Sequence, residues 1–212
     1  WGSDLCDHYT YVIAGDGCLM EGISQEAISL AGKLELKKLI VIWDDNGITI
    51  DGGVDLSCNT DQISRFESSG WSTFSCDAHN PIEIDQVISD AKKDSRPSLI
   101  AAKSIIGFGS KTKQGTSGVH GSPLGKDEVE NLRKNFDWKY EEFLIPSNIK
   151  DAWENIGSRN NKKFKDWSKT FQALPKRKKS FFLNELNQIF PLRLKSRIKN
   201  FKEFHSQEFE KK

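Results

Sequence analysis

Residues 9–14 (YTYVIA) form an apolar, β-branched run that stops abruptly at Gly15-Asp16-Gly17. Over residues 21–34 the apolar positions Ile23, Ala27, Leu30, Ala31 and Leu34 recur at spacings of three and four, which predicts an amphipathic helix. Residues 38–43 (KLIVIW) then predict a second strand. Strand, helix and strand within about 35 residues make a βαβ unit, hence a parallel pair joined by a right-handed crossover. The alternation continues with a short helix near 61–70, a strand in 71–76, a helix over 81–94 and a strand over 98–105. This pattern predicts an α/β domain: a doubly wound, mostly parallel sheet with helices on both faces.

The pattern then lapses. Residues 107–125 (GFGSKTKQGTSGVHGSPLG) carry six glycines in nineteen positions and no periodicity. Compact domains seldom carry structureless loops longer than about 12–15 residues unless the loop is functional or disordered. A polar helix is expected over 126–136, and another opened by Pro146-Ser147. From about residue 158 the pattern becomes basic helix with aromatic anchors at Phe164, Trp167 and Phe171, interrupted at Pro175 and resumed after KRKK (176–179). The expected division is therefore residues 1–157 as the α/β domain and 158–212 as a helical basic extension that begins an inter-domain linker.

Charge sharpens that division. The 212 residues sum to +1, but residues 1–160 hold 16 Lys/Arg against 25 Asp/Glu (−9), and residues 161–212 hold 15 against 5 (+10). A basic tail can attract nucleic acid; its aromatic spacing reads more simply as helices wrapping the body with a solvated basic face. No apolar run approaches the roughly 20 residues of a bilayer crossing, and no signal segment opens the chain. Cys6, Cys18, Cys58 and Cys76 show no CxxC pair, so neither a zinc site nor a disulfide framework is indicated. The expectation is a cytoplasmic protein with reduced thiols. Trp1 opens the chain and Met20 is its single methionine, so a fragment of a longer protein is expected.

In a parallel sheet the C-terminal ends of neighbouring strands share one edge, where ligands bind. Asp16 ends the first strand, and Trp43-Asp44-Asp45-Asn46-Gly47 ends the second. A carboxylate and an amide oxygen on rigid strand ends suit Mg²⁺ or Ca²⁺ rather than zinc, with the remaining ligands drawn from a backbone carbonyl, water and phosphate oxygens. Gly15 and Gly17 would let the backbone approach a bulky anion, with positive φ where needed, and the following helix would offer it amides. The dinucleotide fingerprint fails, because Cys18-Leu19-Met20-Glu21 precede the next glycine. The P-loop pattern starts as Gly17-CLME-Gly22 but continues Ile23-Ser24, without the phosphate-gripping lysine. On the residues alone, Asp16 is either a metal ligand or part of an ordinary Asp-Gly turn.

The segment GDGCLMEGISQEAISLAGKLELKKLIVIWDDNGITIDG (15–52) closely resembles the thiamine-diphosphate motif of transketolases. The resemblance extends upstream through DHYTYV and downstream through KSIIGFGS, GT followed by HG, and SPLG, covering residues 7 to about 173 in order. It implies a thiamine-diphosphate-binding fold in which Asp16, Asn46 and the carbonyl of Ile48 ligate the divalent ion. Gly15, Gly17 and Asn46 would contact the cofactor's diphosphate, and His120 would stand near the diphosphate and the donor sugar as a catalytic residue. As a lone loop histidine, His120 would otherwise read as a surface residue. Glu21 and Glu26 match acidic residues at the family's subunit interface, although acids early in a helix are favourable in any case. Trp43 stands where the family usually has tyrosine, and Ser117 where histidine is common; the opening WGSDLC also departs from the family's pattern.

The resemblance implies transfer of a two-carbon ketol unit in the pentose phosphate pathway, from a ketose phosphate such as xylulose 5-phosphate to an aldose phosphate such as ribose 5-phosphate. It also implies a homodimer in which a neighbouring subunit's middle domain completes the site. The family's upstream histidines, its middle domain with an activating glutamate, and its C-terminal domain have no counterpart here, so the chain is expected to supply the Mg²⁺-diphosphate half of the site and to be inactive alone. The alternative is a non-catalytic assembly or interaction module that retains the fold.

Overall fold

The computed structural model describes residues 2–189 and 192–209; Trp1 and the last residues of the expected extension, 210–212, lie outside them. The chain divides into two compact units, residues 8–144 and residues 2–7 with 145 onward.

In the first unit, β1 (Thr10–Gly15), β2 (Leu39–Asp45), β5 (Ser72–Asp77) and β6 (Ser98–Lys103) form one sheet in the order β1-β2-β6-β5. All three pairings are parallel. A two-stranded antiparallel hairpin, β3 (Ile48–Thr49) and β4 (Gly52–Gly53), follows β2. The helices are α1 (Asp16–Met20), α2 (Gly22–Lys33), α3 (Gln62–Ser68), α4 (Pro81–Ala91) and α5 (Lys126–Asn135). Each strand predicted from the pattern is present, as are the helices predicted near 61–70, 81–94 and 126–136.

Side-chain alternation divides the core between the two faces of the sheet. Val41, Trp43, Leu99 and Ala101 face Ile28 and Ala31 of α2 and Phe66 of α3. Ile40, Ile42, Ile100 and Ala102 face Ile84, Val87, Ile88 and Ala91 of α4. The central strands are thus covered on both sides, as near-continuous apolar runs in a parallel sheet require. Ile40, Leu99 and Ile100 are essentially inaccessible, each contributing about 1.5–3 kcal/mol by burial. At the edge of the sheet β1 is less protected, and Ile13 is 79% exposed.

The face of α2 differs from expectation. Of the stripe Ile23, Ala27, Leu30, Ala31 and Leu34, only Ala31 is buried; Ile23, Leu30 and Leu34 are 77%, 59% and 57% exposed. The helix lies instead on Ile28, Ala31 and Gly32. A Cβ on Gly32 would stand 1.7 Å from the carbonyl oxygen of Ser69 and 3.3 Å from the Trp71 ring. That close approach also lets Trp71 Nε1 donate to the carbonyl of Ile28 at 2.9 Å, satisfying a buried indole N–H. Close packing against the sheet therefore overrides the apolar periodicity.

α3 and α4 begin on side-chain caps: Asp61 accepts from the amide of Ser64, and Asn80 from those of Ile82 and Glu83, with Pro81 in the first turn.

The second unit contains α6 (Ser147–Ser158), α7 (Asn161–Gln172), α8 (Lys176–Leu186) and α9 (Leu192–Phe209). Phe171 and Phe182 pack with Leu5, flanked by Trp167 and Leu174. Trp167 stacks on Phe171 with centroids 5.2 Å apart, and its Nε1 donates to the carbonyl of Leu5 at 3.0 Å. Phe164, expected as an anchor, is exposed and stacks against Trp167 with ring centroids 6.4 Å apart.

Gly32→Ala tests the packing of α2. Alanine is intrinsically better in a helix by about 1 kcal/mol, but the overlap with a backbone carbonyl should dominate, with a net loss of about 1–3 kcal/mol. Urea unfolding should show a lower midpoint; an unchanged or raised midpoint would contradict the close approach.

Candidate functional site

The C-terminal ends of β1, β2 and β6 open into a cleft of about 960 Å³. Gly15, Asp16, Gly17, Glu21, Asn46, Ile48 and His120 all line it. Every site residue expected from the sequence is there except Glu26, which is exposed on α2 and not part of the lining. The 29 residues between Asp16 and Asn46 run through α1, α2 and β2, and the parallel register pairs Gly15 with Asp44.

Asp16 is 6% exposed. Its Oδ1 accepts from Trp43 Nε1 at 3.0 Å and its Oδ2 from the amide of Gly47 at 2.9 Å. Gly47 reaches this position at φ +72°, which glycine adopts without strain. Burial pushes the Asp16 carboxyl above the usual aspartate range, opposed by the Trp43 and Gly47 hydrogen bonds and reinforced by Asp45 and Asp44. Asp45 is partly neutralised by Lys103, whose Nζ lies 3.1 Å from its Oδ1.

Asn46 is fixed at both ends of its amide: Oδ1 accepts from the amide of Ile48 at 2.9 Å and Nδ2 donates to Asp44 Oδ2 at 3.3 Å. Asp44 in turn accepts from Ser104 Oγ at the end of β6. Three strands are thus cross-linked where the cleft opens.

Gly15 and Gly17 do not adopt positive φ, so that part of their expected role does not apply. A Cβ on either would meet no protein atom within 4 Å. The protein itself does not require glycine at these two positions; what their absent side chains leave open is the cleft.

His120 arrives from the glycine-rich segment. That segment is more ordered in its bonding than its composition suggests: Ser117–Val119 form a 3₁₀ turn, the amide of His120 bonds to the carbonyl of Ser117 at 2.9 Å, and Gly115 N donates to Ile106 O at 2.8 Å.

The cleft is chemically one-sided. Asp16, Glu21, Asp44 and Asp51 line it, and no Lys or Arg is among the lining residues. Like charges in a common cleft attract cations and repel a bare anion. Among the described residues no group of three or more His, Cys, Asp or Glu converges on a metal position. Protein side chains alone would leave a hard cation under-coordinated, and an ion there would draw further oxygens from a ligand. The donor set therefore fits a divalent ion that arrives with a diphosphate. Trp43, Gly47 and Ser104 were not singled out as partners by the sequence. Trp43 stood out there only as a departure from the usual tyrosine, and Gly47 only as a turn residue.

The raised Asp16 carboxyl gives a signed expectation. The folded chain holds this proton more tightly than the unfolded chain, so the contribution of Asp16 to stability falls as pH rises from the ordinary aspartate value through the raised one. In carboxyl ¹³C NMR of the cation-free protein, Asp16 should titrate above ordinary aspartates, and Trp43→Phe should move it higher. A value at or below the ordinary range would contradict the assignment.

The model of the family described as transketolase, thiamine diphosphate binding domain, matches residues 1–194. The transketolase of Rhodobacter capsulatus is 46% identical over 207 residues, which are 98% of this chain and 31% of that protein. Among solved structures, the transketolase of Leishmania mexicana superposes with a TM-score of 0.81 at 33% identity, over 89% of this chain and 29% of that one. A transketolase mutant of Pichia stipitis, described as a complex with xylulose 5-phosphate, superposes with a TM-score of 0.74 at 41% identity, over 78% and 25%. The chain spans about three tenths of the length of the curated relative. With that identity across a fold whose strand ends form this cleft, the chain belongs to the transketolase family, in its thiamine diphosphate-binding domain.

Proposed function

We propose that this chain supplies the metal-diphosphate half of a transketolase active site, in a protein that moves a two-carbon ketol unit between sugar phosphates. The observation that carries this reading is the meeting of Gly15, Asp16, Gly17, Asn46, Ile48 and His120 in one acidic cleft at the sheet's C-terminal edge. Asp16, Asn46 and the Ile48 carbonyl would hold Mg²⁺ or Ca²⁺, and Gly15, Gly17 and Asn46 would border the diphosphate. Thiamine diphosphate, when bound, supplies the carbon chemistry, and the protein supplies binding, orientation and electrostatics.

The residues of this chain divide that work. Trp43 and Gly47 aim Asp16 and favour its ionised form by donating to both of its oxygens. Asp44 keeps the Asn46 amide in one orientation; such supporting partners commonly change metal affinity by about 10–100-fold. His120 would serve as a polar contact and proton carrier near the diphosphate and donor sugar.

The sugar-phosphate substrates follow from the relatives, including xylulose 5-phosphate in the Pichia stipitis complex, with an aldose phosphate such as ribose 5-phosphate as acceptor in the pentose phosphate pathway. A homodimer with Glu21 and Glu26 at the subunit interface completes the proposal. A cytoplasmic location agrees with it, and no helix among the described residues is long and apolar enough to cross a membrane. Most of the relatives' length has no counterpart in these 212 residues, so the chain alone should bind cofactor weakly and transfer no ketol unit.

Two measurements test this. Thiamine diphosphate with Mg²⁺ should change tryptophan fluorescence saturably, because Trp43 contacts Asp16, and Asp16→Ala or Asn46→Ala should weaken the apparent affinity at least about tenfold. An identical titration in Asp16→Ala would refute the ligand assignment. Turnover of xylulose 5-phosphate with ribose 5-phosphate by the isolated 212-residue protein would refute its dependence on the missing parts.

A further inference from the structure

Glu128 is a buried carboxylate outside the cleft. It lies in the first turn of α5 and is 8% exposed. Its Oε2 accepts from Ser110 Oγ at 2.6 Å and from the amide of Lys111 at 2.9 Å, and its Oε1 accepts from Thr112 Oγ1. No cation pairs with it among these contacts. The donors come from three consecutive residues at the base of the glycine-rich segment, and they hold its carboxyl down at about 2, so the group is ionised at neutral pH. Charge-assisted bonds of this kind are stronger than neutral ones.

The gathered residues are connected to His120. Ser110 Oγ also accepts from the amide of Lys113 at 3.2 Å. Lys113 then reaches both arms of the segment: its carbonyl accepts from Thr116 Oγ1 at 2.7 Å, and its Nζ donates to the carbonyl of Leu124 at 2.9 Å. Thr116 and Leu124 bracket the 3₁₀ turn and His120. The base is itself packed. A Cβ on Gly107 would meet Val119 at 3.0 Å, one on Gly109 would meet Phe136 at 2.8 Å, and Asn135 Nδ2 donates to the carbonyl of Gly109 at 2.7 Å. Both glycines have positive φ, +65° and +89°. The base of the segment is thus packed on α5, with Glu128 bonded to residues 110–112.

We propose that Glu128 is a positioning residue for His120: by gathering Ser110, Lys111 and Thr112 it fixes the base of the glycine-rich segment and, through Lys113, sets where His120 stands in the cleft. The anchoring follows from the contacts alone, and its consequence for cofactor contact rests on the reading of the cleft given above. An aspartate would be one methylene too short to reach all three donors, and glutamine offers one acceptor oxygen where three donors converge, so glutamine should hold the segment only in part.

The experiment is NMR with amide hydrogen exchange on the 212-residue protein. In Glu128→Ala, exchange of the Gly115 amide should accelerate by about tenfold or more, while amides within β2 remain protected. Glu128→Gln should lie between Glu128→Ala and the unaltered protein. Addition of thiamine diphosphate with Mg²⁺ should shift both the Asn46 side-chain amide and the His120 ring in the unaltered protein, but only Asn46 in Glu128→Ala. Unchanged Gly115 exchange in Glu128→Ala, or an equal His120 response, overturns the proposal. Failure of Asn46 to respond in the unaltered protein would count against the cofactor reading, and the exchange rates would still decide the anchoring. If Glu128→Ala loses its sheet protection, Ser110→Ala and Thr112→Val each remove one donor and should speed Gly115 exchange by about threefold; unchanged rates in both overturn the anchor.

Discussion

The Asp16 carboxylate is the constraint on which the cleft depends. It directly follows β1 as the first residue of α1, is almost wholly buried, and takes one hydrogen bond from the indole of β2 and another from the turn that follows β2. A buried carboxylate is costly unless it is bonded or paired. Here burial raises its proton affinity, the bonds from Trp43 and Gly47 oppose that rise, and Asp45 and Asp44 add to it. The sheet supplies the rigidity: β1, β2 and β6 are held in parallel register by a core packed on both faces, so the strand ends cannot separate to relieve the crowding. In the proposed reading a divalent ion would offset this accumulation of negative charge, and a diphosphate would then have a reason to enter a cleft that would otherwise repel it.

This arrangement assigns different work to neighbouring elements. The strand ends fix Asp16 and Asn46, whose geometry follows from sheet register. His120 depends instead on a segment without regular structure, and its placement must come from other bonds. The carboxylate of Glu128 and the side chain of Lys113 fill that role by satisfying backbone and hydroxyl groups that a loop leaves open. The difference explains why six glycines are compatible with a defined position for one histidine.

Much of the fold was legible because strands and helices leave periodic traces. The runs at 9–14, 38–43 and 98–105 became β1, β2 and β6, and Asp61 and Asn80 cap the helices expected after them. The cleft was legible because a parallel sheet brings strand ends together, and the resemblance of residues 15–52 to transketolases then gave Asp16, Asn46, Ile48 and His120 specific expectations. The buried face of α2 was legible only at Ala31. Apolar spacing also favoured Ile23, Leu30 and Leu34, whereas packing set Ile28 and Gly32 beside Ala31, because a backbone carbonyl approaches Gly32 too closely for any side chain. Trp43's bond to Asp16 and Glu128's grip on residues 110–112 were also hidden, since each joins residues whose relation is set only by the folded path of the chain.

The central claim is that the cleft accepts a diphosphate only together with a divalent cation. Isothermal titration of thiamine diphosphate into the protein, once with Mg²⁺ and once with chelator, tests it most directly. The account predicts saturable binding with Mg²⁺ and at least about tenfold weaker binding in chelator; equal affinity in the two conditions would contradict it.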